Sequence, residues 1–116
     1  MDNGSQLTHQ VEERGNAILI AFHGVINCTH SGQFSQSIKE AREKYAKKHL
    51  VLDFSDVIHI DSSGLGALVA ERSRTVKTGV DFRICCLGES VRKVFHMAHL
   101  DRLFQLYESQ EDALKG

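Results

Sequence analysis

The chain has 116 residues, of which 41% are hydrophobic and 25% charged, and its 14 basic and 15 acidic side chains leave a net charge of -1. That size suits one compact domain with a real core, expected to span residues 1–116 with residues 1–5 as candidates for disorder. The near-neutral balance excludes a nucleic-acid-binding footprint, and no apolar run reaches the length of a membrane span.

The 3 cysteines, Cys28, Cys85 and Cys86, lack the spacing of a secreted disulfide framework. Met1–Gln6 is polar, without the apolar core of a signal peptide, so the cytoplasm is the expected compartment. With 0 Pro in the chain, turns must be built from Gly, Asn, Asp and Ser.

In chain order, Gln6 to Val11 alternates loosely and reads as an edge strand. Glu13-Arg14-Gly15-Asn16 reads as a turn, and Ala17–Phe22 as a buried strand broken by Gly24, the two strands forming a β-hairpin. Asn27, Thr29 or Ser31 can cap a helix running to Lys48, whose Phe34, Ile38, Ala41 and Tyr45 fall on one face. His49–Phe54 is a second buried strand, leading through Ser55–Ile60 to the turn Asp61-Ser62-Ser63-Gly64. In the helix that follows, Leu65, Leu68, Val69 and Val76 make the apolar stripe, with Glu71, Arg72, Arg74 and Lys77 facing out and Gly79 ending it. Val80–Leu87 reads as a third strand, Gly88-Glu89-Ser90 as the entry to a short helix, Leu103–Tyr107 as a fourth strand, and Ser109 as the cap of a last helical turn.

The order β-β-α-β-α-β-α-β-α implies an α/β fold, with a mixed, mostly parallel sheet of four to five strands, an N-terminal hairpin strand and about four helices. Ligands and modifications in such sheets gather beyond the carboxyl ends of the strands. The segments at 24–29, 59–66 and 87–90 all fall there.

The Asp61–Gly66 turn holds the most chemistry. A Ser at a strand-to-helix turn meets N–H groups that have no intrahelical partner. Ser62 can therefore be an ordinary N-cap, its hydroxyl accepting an N–H near Leu65. It can equally be a displayed phosphorylation site, whose charge of about -1.5 to -2 the helix N-terminus favours. Enzymatic motifs are missing. A nucleophile elbow fails because Ile60 stands two before Ser62 and Leu65 two after Ser63; a dinucleotide loop fails at Val69. His96 and His99 have helical ligand spacing but no partner ligand at motif spacing, so surface or capping roles are expected. His59 and Asp61 alternate toward one side. Cys85 and Cys86, adjacent on a strand, are expected on opposite faces as small hydrophobes. No cofactor, metal or catalytic residue is expected.

Leu52-Asp53-Phe54-Ser55-Asp56-Val57-Ile58-His59-Ile60-Asp61-Ser62-Ser63-Gly64-Leu65-Gly66-Ala67-Leu68 closely resembles the central motif of the STAS-domain anti-sigma-factor antagonists. The resemblance continues through Gly79–Cys86, Ser90–Leu100 and Phe104–Leu114. It implies a STAS fold and a non-enzymatic switch in which Ser62 is phosphorylated by a kinase-type anti-sigma factor. The unphosphorylated form would bind that kinase and free the sigma factor, and a metal-dependent Ser/Thr phosphatase would reset it. Partner contact is then expected at Asn27, His59, Asp61, Ser63, Gly64, Leu65 and Gly66, by a monomer or weak dimer, with no nucleic acid and no membrane insertion. The family commonly shows Gly-x-Leu-Asp after the second strand, where this chain has Gly24-Val25-Ile26-Asn27. That change motivates the alternative expectation: a STAS scaffold or accessory subunit, for example of a lipid transport complex, without phosphorylation.

Overall fold

A computed structural model describes residues 6–115, and residues 1–5, named above as candidates for disorder, lie outside that range. Strands β1 (Leu7–Arg14), β2 (Ala17–Ile26), β3 (His49–Ile60), β4 (Phe82–Cys85) and β5 (Gln105–Tyr107) form one sheet in chain order. Only β1 and β2 are antiparallel; β2 to β5 run parallel. The connecting helices are α1 (Ser31–Lys44), α2 (Ser62–Val76) and α3 (Glu89–Met97), and α4 (Gln110–Lys115) follows β5.

Alternation along the strands gives the sheet two unequal faces. Ile18, Ile20 and Phe22 of β2, Leu50, Leu52 and Phe54 of β3, and Phe82 and Ile84 of β4 join Phe34 and Ile38 of α1, Leu68 of α2, and Val91 and Phe95 of α3 in one core. Phe22 and Phe34 pack 4.8 Å apart, and Phe54 meets Phe95 edge-on at 6.5 Å. The opposite face holds a smaller cluster of Ala17, Leu19, Val51 and Cys85 beneath Ala113 of α4.

Several boundaries differ from the sequence reading. β1 runs on to Arg14, paired with Ala17, because Gly15 at φ 62° lets the chain reverse over two residues. β2 does not break at Gly24 but continues to Ile26. Gly24 sits at φ 117°, and a Cβ there would lie 1.9 Å from the Gln6 carbonyl oxygen, so glycine lets β1 press against the strand rather than ending it. α1 stops at Lys44, since Lys47 takes a left-handed φ of 72° to reverse the chain into β3. β4 is shorter than Val80–Leu87 because Cys86 turns to φ 66°, and β5 begins only at Gln105.

On α2, Glu71 does not face solvent. It is 2% exposed, and its carboxylate accepts from Arg42 of α1 at 2.9 Å and from Arg74 at 2.7 Å. Arg42 also donates to the Thr75 hydroxyl at 3.1 Å. A helix periodicity dominated by aliphatics could not show that α1 and α2 meet through a buried ion pair. Val76, placed in the apolar stripe, is 38% exposed at the end of the helix.

The turn joining β3 to α2 as a candidate functional site

Ile26 and Ile60 end β2 and β3 side by side, and the Asp61 N–H donates to the Ile26 carbonyl at 3.1 Å. At Asp61 the backbone is extended (φ -105°, ψ -174°), and one carboxylate oxygen accepts the Gly64 N–H at 3.0 Å. Asp61 is therefore the N-cap of α2, and Ser62, read from sequence as the cap position, is instead its first helical residue. Asp and Ser are comparable caps; here the carboxylate takes the position one residue earlier and releases the serine hydroxyl.

The second Asp61 oxygen accepts the Cys28 N–H at 3.3 Å, tying the β2–α1 loop to the start of α2. Within that loop the Asn27 side-chain oxygen accepts the N–H groups of Thr29 at 3.1 Å and His30 at 3.2 Å. Asn27 thus shapes the approach to α1, while His30, at the cap position of that helix, has no side-chain capping bond. Of the three caps weighed from sequence, Asn27 organises the loop from outside the helix, and Ser31 is already its first residue.

Gly64 is buried, and a Cβ there would fall 2.5 Å from the Ile26 carbonyl oxygen. Glycine is what lets α2 start directly against the end of β2. Leu65 packs against the core, whereas Gly66 is exposed with nothing within 4 Å of a built Cβ. Ser62 and Ser63 are both exposed on the first turn. The structure thus gathers Asn27, Asp61, Ser62, Ser63, Gly64 and Gly66 around one helix start, with Leu65 turned inward. His59 is exposed on β3, and its ring has no partner, Asp61 included, among the described residues. The third predicted segment adjoins the same strand: the Ser90 hydroxyl lies 3.5 Å from the Ile58 carbonyl oxygen.

Ile58, 66% exposed on β3, was not singled out from sequence. The available signal was the adjacent pair Val57-Ile58 within a strand, because alternation must turn one of two neighbours outward. His96 and His99 are both exposed and do not act as a pair. His96 meets Asp101 at 3.0 Å, a hydrogen bond that holds the Asp101 carboxyl below the usual carboxylate range. A groove of about 670 Å³ lined by Phe95, Met97 and Leu106 lies along α3 and holds none of the predicted site residues.

Residues 8–113 match the STAS domain family model. The chain belongs to the STAS family. It is 27% identical over 116 residues to the anti-sigma-F factor antagonist RsfB of Mycobacterium tuberculosis, covering 100% of this chain and 93% of that protein. The anti-sigma F factor antagonist of Paenibacillus polymyxa is 21% identical over 105 residues, 90% of each chain. Among solved structures, an anti-sigma factor antagonist from Mycobacterium paratuberculosis superposes with a TM-score of 0.86 at 27% identity, covering 95% of this chain and 92% of that one. The five-stranded mixed sheet with four helices is the STAS fold, as expected. Among the described residues, no helix is long and apolar enough to cross a membrane.

Proposed function

We propose that this STAS protein is an anti-sigma-factor antagonist, a non-enzymatic interaction module switched by phosphorylation of Ser62. The carrying observation is the division of labour at the start of α2: Asp61 caps the helix, leaving the Ser62 hydroxyl exposed and, among the described residues, uncommitted. A phosphoryl group there gains from the helix dipole. It also places about -1.5 to -2 charges beside the Asp61 carboxylate, on a surface whose other members are the Ser63 hydroxyl, Asn27 and glycine. Desolvating that charge against a partner is costly, so the unmodified form binds and the phosphoform releases. Both similar mycobacterial proteins and the Paenibacillus protein carry the antagonist name, which supports the same role here.

The partners in this reading are a kinase-type anti-sigma factor that contacts the turn and phosphorylates Ser62, and a metal-dependent Ser/Thr phosphatase that reverses it. Asn27 replaces the acid that the family commonly carries, yet it keeps an oxygen acceptor for the Thr29 and His30 N–H groups. The loop is therefore held by a neutral side chain, with one negative charge fewer near Ser62 than an acid there would bring.

The decisive experiment is intact mass with site mapping of the protein from its native cells, growing and stressed. A phosphoform on Ser62 whose occupancy changes with condition is expected, along with its absence in Ser62→Ala. One unmodified mass under every condition would overturn the switch and favour the constitutive scaffold.

A further inference from the structure

Cys85 ends β4, and its side chain lies on the sheet face covered by α4. Sequence alternation puts Cys86 on the opposite face, but the structure does not. Cys86 adopts a left-handed backbone at φ 66°, uncommon for a residue with a Cβ. The rotation swings its thiol back toward Cys85. Asp53 is paired in register with Cys85 on the neighbouring strand, so its carboxylate arrives at the same spot. One ligand atom from each of Asp53, Cys85 and Cys86 lies within 4.8 Å of the others. In the wider neighbourhood, the Asp53 oxygens accept from the Ser55 N–H at 2.8 Å and from the Gln110 side chain, and the Gln110 backbone hydrogen-bonds the Cys86 sulfur.

We propose that Asp53, Cys85 and Cys86 form a binding site for a thiophilic divalent d10 cation, zinc(II) or its probe cadmium(II). Two sulfurs and one carboxylate oxygen are a donor set this class accepts, with water the usual fourth ligand of such three-residue sites. The supporting shell is present, since Ser55 and Gln110 orient the carboxylate as outer partners do in metal sites. Cys86 is half-buried and gives a route from solvent, while Asp53 and Cys85 are buried. Binding is balanced by loss of the two thiol protons to solvent, and nothing is oxidised. Burial first, and the nearby Asp53 carboxylate, push both thiols up from their ordinary value.

The site is independent of the Ser62 switch. Asp53 and Asp61 are eight residues apart on or just past β3, roughly 25 Å at strand spacing.

The test is titration of the full-length Cys28→Ser protein with cadmium(II), in which Cys85 and Cys86 are the remaining thiols. The expected result is one cadmium per chain, ultraviolet thiolate-to-cadmium charge transfer, and release of about two protons per metal. The melting temperature should also rise, because a ligand bound by the folded state stabilises it. A further Cys86→Ser change, at a half-buried side chain, should abolish the charge transfer while the circular dichroism stays native. Charge transfer that persists in this variant, a melting temperature that falls with metal, or no stoichiometric binding to the folded protein would each overturn the site.

Discussion

β3 is two strands in one, and its halves serve different ends. From Leu50 to Asp53 it lies between β2 and β4, and these residues and Phe54 just beyond are all buried, with Leu50, Val51, Leu52 and Phe54 at 0% exposure. From Ser55 to Ile60 only β2 accompanies it, through two register shifts, and four of its six residues are exposed. The first half is held by flanking strands and a helical layer. The second projects past β4 as a platform carrying Asp61 and the start of α2. Stability and the candidate site are thus spread along one strand rather than assigned to separate parts, and the boundary is where β4 stops.

The sharpest way to break this comparison is to truncate one large side chain in each half. Phe54 is fully buried among Phe22, Phe34 and Phe95. Phe54→Ala should cost about 3–5 kcal/mol, whereas Ile58→Ala on the exposed half should stay within about 0.5 kcal/mol. Urea denaturation of both variants checks the contrast, and comparable losses would mean that the distal half is packed after all.

The join between platform and helix is more delicate than its exposure suggests. At Gly64 an added methyl meets the Ile26 carbonyl oxygen and the Ile26 and Ile60 side chains at 2.5–2.8 Å. Backbone cannot swing aside as a flexible side chain would, so Gly64→Ala should cost about 1–3 kcal/mol. It should also displace the first turn of α2, which amide chemical shifts at Cys28, Ser62 and Leu65 would register. Asp61→Ala, which removes the acceptor for Gly64 and Cys28, should cost about 1 kcal/mol, and Asp61→Asn less. Hydrogen exchange should quicken at the Cys28 and Gly64 amides and remain slow in the Leu50–Phe54 half.

Much of this was legible beforehand. The order of elements, the terminal hairpin and the gathering of the 24–29 and 59–66 segments at one end follow from apolar periodicity and turn residues, which are local signals. What escaped was set by contacts distant in sequence. Gly24 looked like a strand breaker because its partner, the Gln6 carbonyl, cannot be found by reading along β2. Glu71 looked like solvent-facing charge because Arg42 lies 29 positions away on another helix. Cys85 and Cys86 looked opposed because alternation assumes an unbroken strand, and the left-handed turn at Cys86 suspends it. At the site, the capping role passed from Ser62 to Asp61. Either residue satisfies the local rule, and what favours Asp61 is the Cys28 N–H in the neighbouring β2–α1 loop, which the carboxylate's second oxygen reaches while the first caps Gly64.

The smallest expected effect is the one that best separates folding from binding. Gly66 lies within α2, exposed, with open space where a Cβ would sit and no unusual backbone angle to require glycine. A helical glycine in such a place is less stable than alanine by about 1 kcal/mol. Gly66→Ala should therefore raise stability by up to about that amount, measured by thermal or urea unfolding. If the proposed antagonist role holds and the exposed turn is the contact surface, the same methyl group lies one helical turn beyond Ser62 and should weaken binding to the anti-sigma factor proposed as partner. A variant that melts higher and binds less tightly would mark the glycine as kept for the partner at the expense of the helix. A variant that melts higher and binds unchanged would move the contact surface off this side of α2, toward the Asn27 loop and the exposed half of β3.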